Sequence, residues 1–97
     1  MNIVSRPTLI NCWKNYPDSE GQLETWYKAI KRKKWKSLNE LKESFPNASI
    51  LKDNRMKFKI KGNTYRLIVK FNLARQMCFV RWFGTHAEYD KIDANTI

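Results

Sequence analysis

The spacing of apolar residues divides the chain into a helical first half and a strand-forming second half. Two stripes recur at intervals of three and four residues and predict two helices: Leu9, Cys12, Trp13 and Tyr16, then Leu23, Trp26, Tyr27 and Ile30. A third, shorter stripe of Leu38, Leu41 and Phe45 predicts another helix. Apolar stripes at this spacing are typical of helices that pack one side against a core.

Polar residues in front of these stripes predict where the helices begin. Ser5 is placed to cap the first helix. Ser19 with Gln22 and Ser37 with Glu40 each have the spacing of a capping box, in which two side chains satisfy free N–H groups at a helix start. We therefore expect three helices in the first half of the chain.

From Met56 onwards the apolar period changes from 3.6 to 2, which predicts strands. Residues 47–55 before it read as a loop. Three strands are expected, over residues 56–61, 65–71 and 76–83, and short turns join them into an antiparallel meander. Residues 1–4 predict a further short strand. The expected fold is a single α+β domain over residues 1–97, with two layers and helices on one face of the sheet.

The turn lengths also predict the register of the sheet. A two-residue turn at Gly62-Asn63 places Lys59 opposite Arg66, and a four-residue turn places Arg66 opposite Arg81. The row formed by these cations would lie on the face away from the helices, flanked by other cations and by apolar residues: Lys57, Lys61, Ile68 and Phe79. The opposite face would hold the core residues Phe58, Ile60, Leu67, Val69, Phe71, Val80 and Trp82.

Charge changes this picture, because opposed cations destabilise a sheet unless an anion lies over them. The chain of 97 residues carries a formal charge of +10, which favours nucleic acid as partner over a merely basic surface. A basic run at the end of the second helix predicts an electrostatic patch for RNA or the ribosome: Lys28, Lys31, Arg32, Lys33, Lys34 and Lys36. Cys12 and Cys78 lack metal-ligand spacing and indicate buried thiols in a reducing cytoplasm, and no apolar run is long enough for a membrane span.

The only histidine lies in a short segment rich in proton-transfer groups. Thr85 with Glu88 predicts a capping box, so a short helix is expected to begin there. His86, Tyr89 and Asp90 then fall on one side of that helix, directly after the strand that carries the predicted cation row. A helix N-terminus disfavours the charged imidazolium, so His86 there suits a neutral base beside a phosphate.

Two segments together resemble the HigB-type toxins of the RelE-like superfamily, which belong to bacterial toxin–antitoxin pairs. They are residues 56–68, with Gly62-Asn63-Thr64-Tyr65-Arg66, and residues 83–92, with Thr85-His86-Ala87-Glu88-Tyr89-Asp90. The resemblance extends over nearly the whole chain. It implies a RelE-like fold, an mRNA endoribonuclease acting on ribosome-bound message, and a cognate HigA-type antitoxin.

The resemblance also implies chemistry without metal, cofactor or protein nucleophile. The RNA 2′-OH attacks the adjacent phosphorus and leaves a 2′,3′-cyclic phosphate and a 5′-OH. That reaction needs cations on the phosphorane, a base and an acid. The residues assigned to catalysis on this basis are Arg66, Arg81, His86, Tyr89 and Asp90, with Asp90 orienting His86. RNA contacts are assigned to Lys57, Lys59, Lys61, Phe79 and Lys91.

One departure and two alternatives remain open. Some HigB-type enzymes carry more than one histidine in the site, whereas this chain has only His86. A metal nuclease would use Glu88, Asp90 and Asp93 with His86, but no strand carboxylate completes such a site. A non-catalytic RNA-binding or ribosome-binding module would explain the charge but not the segment around His86.

Overall fold

A mixed sheet of five strands, with helices on one face, forms the structure, a computed structural model that describes all 97 residues. The strands are β1 (Asn2–Ile3), β2 (Ser49–Ile50), β3 (Arg55–Ile60), β4 (Tyr65–Asn72) and β5 (Met77–Thr85). The helices are α1 (Arg6–Asn15), α2 (Glu20–Lys31), α3 (Leu38–Ser44) and α4 (His86–Tyr89), with a short 3₁₀ helix at Pro17–Ser19. The sheet order is β1-β5-β4-β3-β2, with β1 parallel to β5 and the other pairs antiparallel.

The predicted two-layer α+β architecture, including the N-terminal strand, is confirmed. The expectation of a loop over residues 47–55 is wrong at two places, because β2 lies within it and β3 begins at Arg55. β2 pairs with Met56 and Lys57 and extends the sheet beyond the predicted meander. None of the helices is long and apolar enough to cross a membrane.

The three apolar helix stripes form the core with one face of the sheet, as predicted. Leu9, Leu23, Ile30 and Leu41 are fully buried. They belong to one cluster with strand residues such as Phe71, and partly buried side chains of the same stripes pack around it. Burial raises the pKa of the Cys78 thiol to about 12, so the uncharged thiol packs in the core as a small apolar side chain does.

The predicted helix caps are only partly correct. The Ser5 hydroxyl accepts from the Val80 N–H at 3.0 Å and makes no cap bond. Ser19 donates to the Tyr16 carbonyl at 2.7 Å, so the box predicted with Gln22 is wrong. Ser37 does accept from the Glu40 N–H at 3.1 Å and caps α3. The first two hydroxyls join α1 to neighbouring elements, a use that helix spacing alone does not reveal.

The register between β3 and β4 is as predicted, with Lys59 opposite Arg66. The register between β4 and β5 is not, because Asn72 pairs with Met77 and an irregularity follows between Ile68 and Val69. Val69 pairs with Val80 and Ile68 pairs with Trp82, so Arg81 is an extra residue, a β-bulge. The predicted pairing of Arg66 with Arg81 is therefore wrong.

Beyond the bulge, the side chains of β5 face the layers opposite to those predicted. Trp82 pairs with Ile68 and thus lies on the face away from the helices, where the sequence placed it in the core. Phe83 instead packs against the core. We call the face away from the helices the open face; it carries Arg55, Lys57, Lys59, Arg66, Ile68, Lys70, Phe79, Trp82 and Gly84.

The middle of the open face is covered by the chain itself. Ile68 has 0% exposure and Ala94, beyond α4, has 7%, although neither belongs to the main core. The Arg81 Nε donates to the Ile97 carbonyl at 3.3 Å, which holds the end of the chain over this face. The predicted exposure of Ile68 is wrong for this reason.

Candidate functional site

Arg66 and His86 form a side-chain pair at one end of the open face. The guanidinium NH2 of Arg66 lies 3.3 Å from His86 Nδ1. Because a guanidinium can only donate, Nδ1 must accept in this contact, and the neutral ring then carries its proton on Nε2. His86 is exposed, so Nε2 is open to a ligand on this side of the sheet.

Arg66 is held firmly and is not fully satisfied. Its NH1 donates to the carbonyls of Asn63 at 2.9 Å and Tyr65 at 3.4 Å, and the residue is only 5% exposed. Its Nε is buried and has no hydrogen-bond partner. Buried donors are nearly always paired in folded proteins, so an unpaired guanidinium N–H beside an exposed histidine marks a place for an anionic oxygen.

The single turn of α4 positions His86. The predicted capping box is confirmed: the Thr85 hydroxyl accepts from the Glu88 N–H at 3.1 Å, and Glu88 Oε1 accepts from the Thr85 N–H at 2.8 Å. The His86 N–H also donates to the Thr64 carbonyl at 3.1 Å. Main-chain bonds on both sides thus fix His86 relative to the turn that holds Arg66.

A further hydrogen bond ties α4 to the end of α1. The Tyr16 hydroxyl donates to Glu88 Oε1 at 2.8 Å. The Thr85 N–H, and then the Tyr16 hydroxyl, lower the pKa of Glu88, while the carboxylate raises the pKa of Tyr16. Glu88 is therefore a structural anion here and not a proton-transfer group.

A similar pair lies at the adjoining turn. Asp18 accepts from the hydroxyl of Tyr65 and from Lys61 Nζ, the latter at 2.7 Å. The bond to the Asp18 carboxylate raises the pKa of Tyr65 to about 12. The bonds from Lys61 and then from Tyr65 lower the pKa of Asp18. Lys61, predicted to bind RNA, is thus engaged in an ion pair with the 3₁₀ helix.

Gly84 makes room for the site. It lies opposite Arg66, and a Cβ there would come within 2.7 Å of the Trp82 ring and 2.9 Å of Glu88 Oε1. Trp82 in turn packs against Tyr89 with ring centroids 6.0 Å apart. The close approach of strand and aromatic ring at this point admits only hydrogen as a side chain.

The structure brings together some of the predicted site residues and separates others. Lys59 lies beside Arg66 in the same row, and Lys57 Nζ lies 5.2 Å from the centre of the Tyr89 ring. Burial, followed by the charges of Arg66 and Lys59, lowers the pKa of Lys57.

Two further predictions differ from the structure. The Asp90 carboxylate does not hold the His86 ring, because the partner of Nδ1 is Arg66. Arg81 lies at the bulge and bonds to Ile97, not to the pair at Arg66. Lys91 is exposed after α4, and Phe79 is half-buried on the open face beside Lys70.

The cations of the basic run at the end of α2 are exposed, with buried Ile30 and Trp35 between them. Lys33 pairs with Glu40 at 3.2 Å and lies over the Trp35 ring at 4.2 Å. Lys31 contacts the Tyr27 hydroxyl at 3.4 Å. The remaining cations carry no hydrogen bond or ion pair from their side chains: Lys28, Arg32, Lys34 and Lys36. The assignment of this run to phosphates stays a prediction from its charge.

Sequence reasoning missed Arg55 and Tyr16 as functional candidates. Arg55 was assigned to a loop, yet it opens β3, lies on the open face and is 6% exposed. Tyr16 was assigned to the helix stripe, and its ring does pack with Phe83 at 5.6 Å. Its hydroxyl, however, reaches Glu88, a contact between residues 72 positions apart that no local pattern predicts.

Comparison with known proteins gives one consistent result. A family model described as HigB_toxin, RelE-like toxic component of a toxin-antitoxin system, matches residues 19–92. A relative named mRNA interferase HigB, from Escherichia coli O6:H1 strain CFT073, is 30% identical over 94 residues, covering 95% of this chain and 91% of the relative.

Two further relatives agree. The mRNA interferase toxin HigB of Escherichia coli K12 is 27% identical over 92 residues, covering 93% of this chain and 88% of the relative. The mRNA interferase HigB of Shigella flexneri has the same values. The matched range contains Arg66, His86 and α4. The chain therefore belongs to the HigB family, the RelE-like toxins of toxin–antitoxin systems.

Proposed function

We propose that this toxin is an endoribonuclease that cleaves mRNA on the translating ribosome and so stops translation. The observation that carries the proposal is the pair of Arg66 and His86: a buried guanidinium with an unpaired Nε, bonded to an exposed imidazole. The relatives' name, mRNA interferase, supports mRNA as the substrate. Ribosomes and message would place the reaction in the cytoplasm.

In this mechanism the RNA 2′-OH attacks the adjacent phosphorus, and the 5′-oxygen leaves. A 2′,3′-cyclic phosphate and a 5′-OH are the products. Arg66 supports the developing charge of the phosphorane through its guanidinium group, and Lys59 adds a second cation in the same row. Because these groups are held by the sheet, they are in place before the transition state forms.

Proton transfer is assigned to the groups around Arg66. With Nδ1 accepting from Arg66, the His86 Nε2–H is placed to protonate the leaving 5′-oxygen. Lys57, whose pKa is lowered by burial and by its cationic neighbours, is the base that we assign to the 2′-OH. Tyr89, whose ring contacts Lys57, is a positioning residue for that amine.

The acidic residues offer no support for a metal nuclease. Glu88 is engaged by Thr85 and Tyr16, and the Asp93 carboxylate accepts from the Asn95 N–H at 3.0 Å. No group of three His, Cys, Asp or Glu side chains is arranged to hold an ion.

Membership of a toxin–antitoxin family implies an antitoxin partner. We propose a HigA-type protein that covers the open face with acidic residues, motivated by the +10 charge of the toxin. A toxin–antitoxin complex that leaves Arg66 and His86 accessible would contradict this direct occlusion. The exposed basic run is assigned to ribosomal or messenger RNA phosphates, as part of the same proposal.

The test is cleavage of a defined mRNA in EDTA, with and without 70S ribosomes, with the product ends identified. Cyclic phosphate ends that appear only with ribosomes are expected. His86→Ala should reduce cleavage by about 10²- to 10⁴-fold, the usual contribution of acid–base catalysis. Asn11→Ala, an exposed change on α1, is the control and should leave the rate unchanged.

A non-catalytic RNA-binding or ribosome-binding module is the second candidate, favoured by the exposed basic run. It predicts no cleavage in any condition, with ribosome affinity lost on neutralising Arg32 and Lys34 and kept in His86→Ala. Cleavage that requires Mg²⁺ and survives the His86 change would instead reject both readings.

A further inference from the structure

A cleft of about 360 Å³ lies at the end of the open face opposite to His86. Its walls come from the beginning of β3, the β4–β5 turn and the row shared by Lys70 and Phe79: Asn54, Lys70, Phe71, Asn72, Leu73, Ala74 and Phe79. Phe79 is half-buried and supplies an aromatic surface, and the two asparagines supply amide groups. Such a combination suits one flat, polar-edged ring.

Two arginines converge beside this cleft. Arg55 Nε and Arg81 Nε donate to the same oxygen, the carbonyl of Ile97, at 3.0 and 3.3 Å. Arg55 belongs to the same row as Lys70 and Phe79, and its side chain is 7% exposed. Its one ion pair is a loose one, 3.7 Å to an Asp53 side chain that is 78% exposed.

The oxygen between the two guanidinium groups comes from residues 93–97, which lie over the open face. These residues form a turn around Asp93, Ala94 is buried, and the Lys52 N–H donates to Asn95 Oδ1 at 3.0 Å. Arg55 is buried and Arg81 is exposed, and each gives only its Nε to this one Ile97 oxygen. A phosphate offers several acceptor oxygens and a negative charge to both guanidinium groups. The arrangement is that of an anion site occupied by an oxygen of the chain itself.

We propose that this region binds a nucleotide of the RNA that flanks the cleaved bond. Its phosphate replaces the Ile97 carbonyl between Arg55 and Arg81, and its base enters the cleft and stacks on Phe79. The inference rests on the proposed function, because it assigns a second contact for the same RNA. Residues 93–97 withdraw when the RNA binds.

The position of the site distinguishes it from the catalytic pair. Arg55 and Lys59 are four residues apart on β3, on the order of 13 Å at the usual rise of a strand. Arg55 and Arg81 therefore bind a neighbouring phosphate and not the one that is cleaved. Arg81, unsuited by the bulge to the role predicted beside Arg66, finds its role here.

The basic run lies next to the same end of the sheet. Gln76, in the β4–β5 turn, accepts from the Trp35 N–H at 2.9 Å and donates to the Trp35 carbonyl at 2.6 Å. A single strand leaving the cleft thus meets Lys34 and Lys36 directly. This continuity of aromatic and cationic contacts favours single-stranded RNA over an acidic protein segment, which would use the cations but not the stacking surface.

The experiment combines a substrate change with a protein change. Single abasic nucleotides are placed at each of the three positions on either side of the cleaved bond, and cleavage is measured in programmed ribosomes and with free RNA. At one position the abasic nucleotide should slow the native toxin by about tenfold, the loss of one stacked base. Phe79→Ala should slow cleavage of the intact RNA equally and show no further loss at that position.

Matched variants separate stacking from charge. Arg81→Gln should weaken binding of the intact RNA by about tenfold and lower its salt dependence. Lys14→Gln, an equal loss of charge on α1, and Ile50→Ala, an exposed apolar truncation, are the controls. Equal abasic effects in native toxin and Phe79→Ala at every position would overturn the site.

Failure of this inference is distinct from failure of the proposed function. RNA binding measured with the His86→Ala toxin requires no cleavage, so dependence on Phe79 and Arg81 there supports the cleft even if the toxin proves non-catalytic. Cleavage that depends on His86 but not on Phe79 or Arg81 rejects the cleft alone. If Phe79→Ala and Arg81→Gln weaken the binding of a poly-glutamate peptide equally and leave RNA binding unchanged, the region binds an acidic protein. That result also overturns the proposal.

Discussion

The two ends of the open face hold their arginines in different ways. At the His86 end, Arg66 is fixed by the carbonyls of Asn63 and Tyr65, which belong to the turn and strand that carry it. At the other end, Arg55 and Arg81 share one carbonyl from the last residue of the chain. The first arrangement is part of the sheet, and the second depends on a segment that lies over it.

Under the proposed function, this difference separates chemistry from binding. A transition state is stabilised by groups that do not have to reorganise, and Arg66 meets that condition. A binding site for flexible single-stranded RNA can instead exchange one ligand for another. We propose that the Ile97 oxygen between Arg55 and Arg81 exchanges with an RNA phosphate in this way. Changes at the His86 end should thus reduce the rate of cleavage, and changes at the Arg81 end should reduce affinity.

The sharpest way to break this comparison is Arg66→Lys. The substitution keeps the charge but removes the planar guanidinium group, whose NH2 contacts His86 and whose buried Nε has no partner. We expect kcat to fall by about 10²- to 10³-fold, the usual loss when one donor to the transition state is removed. Single-turnover cleavage measures it, with Arg75→Lys on the exposed β4–β5 turn as control. A change confined to KM would show that Arg66 only binds RNA.

Gly84→Ala should have the next largest effect. The new Cβ would meet the Trp82 ring at 2.7 Å and Glu88 Oε1 at 2.9 Å, so the Trp82 ring and the Glu88 side chain that supports α4 must shift. Overpacking of this kind costs about 1–3 kcal/mol, and displacement of α4 should lower cleavage by about tenfold. Thermal unfolding and kcat are the measurements.

Gly21→Ala is the matched control for that change. Gly21 lies in α2 and its added Cβ meets nothing within 4 Å. It should raise stability by about 0.5–1 kcal/mol, because alanine loses less backbone entropy in a helix. Equal destabilisation by both substitutions would show that the close approach at Gly84 is not tight.

Neutralising the basic run should affect affinity alone. Arg32→Gln with Lys34→Gln removes two exposed cations that carry no ion pair. For single-stranded RNA the slope of log affinity against log salt should fall by about 0.7 per lost contact, with a several-fold rise in KM and unchanged kcat. A fall in kcat would place the run closer to the chemistry than this comparison allows.

Tyr16→Phe should have the smallest effect, about two- to threefold in kcat, since it removes one exposed hydrogen bond from the support of α4. It also changes the acid response. The pKa of Glu88 is lowered in the fold, so its stabilising effect is present above its unfolded pKa and is lost as pH falls through the lower, folded one.

With one donor removed, the Glu88 pKa in the variant moves back towards its ordinary value of 4.5. The loss of α4 should therefore begin at a higher pH in Tyr16→Phe than in the native toxin. Acid titration followed by the NMR signal of the Trp82 indole N–H, whose ring packs on Tyr89 in α4, measures it. Identical acid transitions would show that the Tyr16 bond does not support α4.

Much of the fold could be predicted from local patterns, because the spacing of apolar residues in each helix and strand shows which of its sides is buried. The pairing of Lys59 with Arg66 followed from a short turn whose geometry permits one register. The capping box at Thr85 followed from spacing within one helical turn. Arg66 and His86 were both assigned to the site from the sequence, but their direct contact was not predicted.

What the sequence did not predict depends on contacts between distant segments. A bulge leaves no mark in the alternation of β5, where Trp82 and Phe83 are both aromatic and either assignment fills the core. The shared contacts of Arg55 and Arg81 depend on the path of residues 93–97 across the sheet. Single-sequence patterns carry no information on such a path.

The bulge at Arg81 gives two adjacent aromatic residues to different layers. Phe83 serves the core with Tyr16 and Tyr65, whereas Trp82 serves the open face with Tyr89. In a library randomised at these two codons, a screen for thermal stability should thus constrain mainly residue 83, and a screen for toxicity should constrain mainly residue 82. One extra residue in a strand lets selection for stability and selection for toxicity act on neighbouring positions separately.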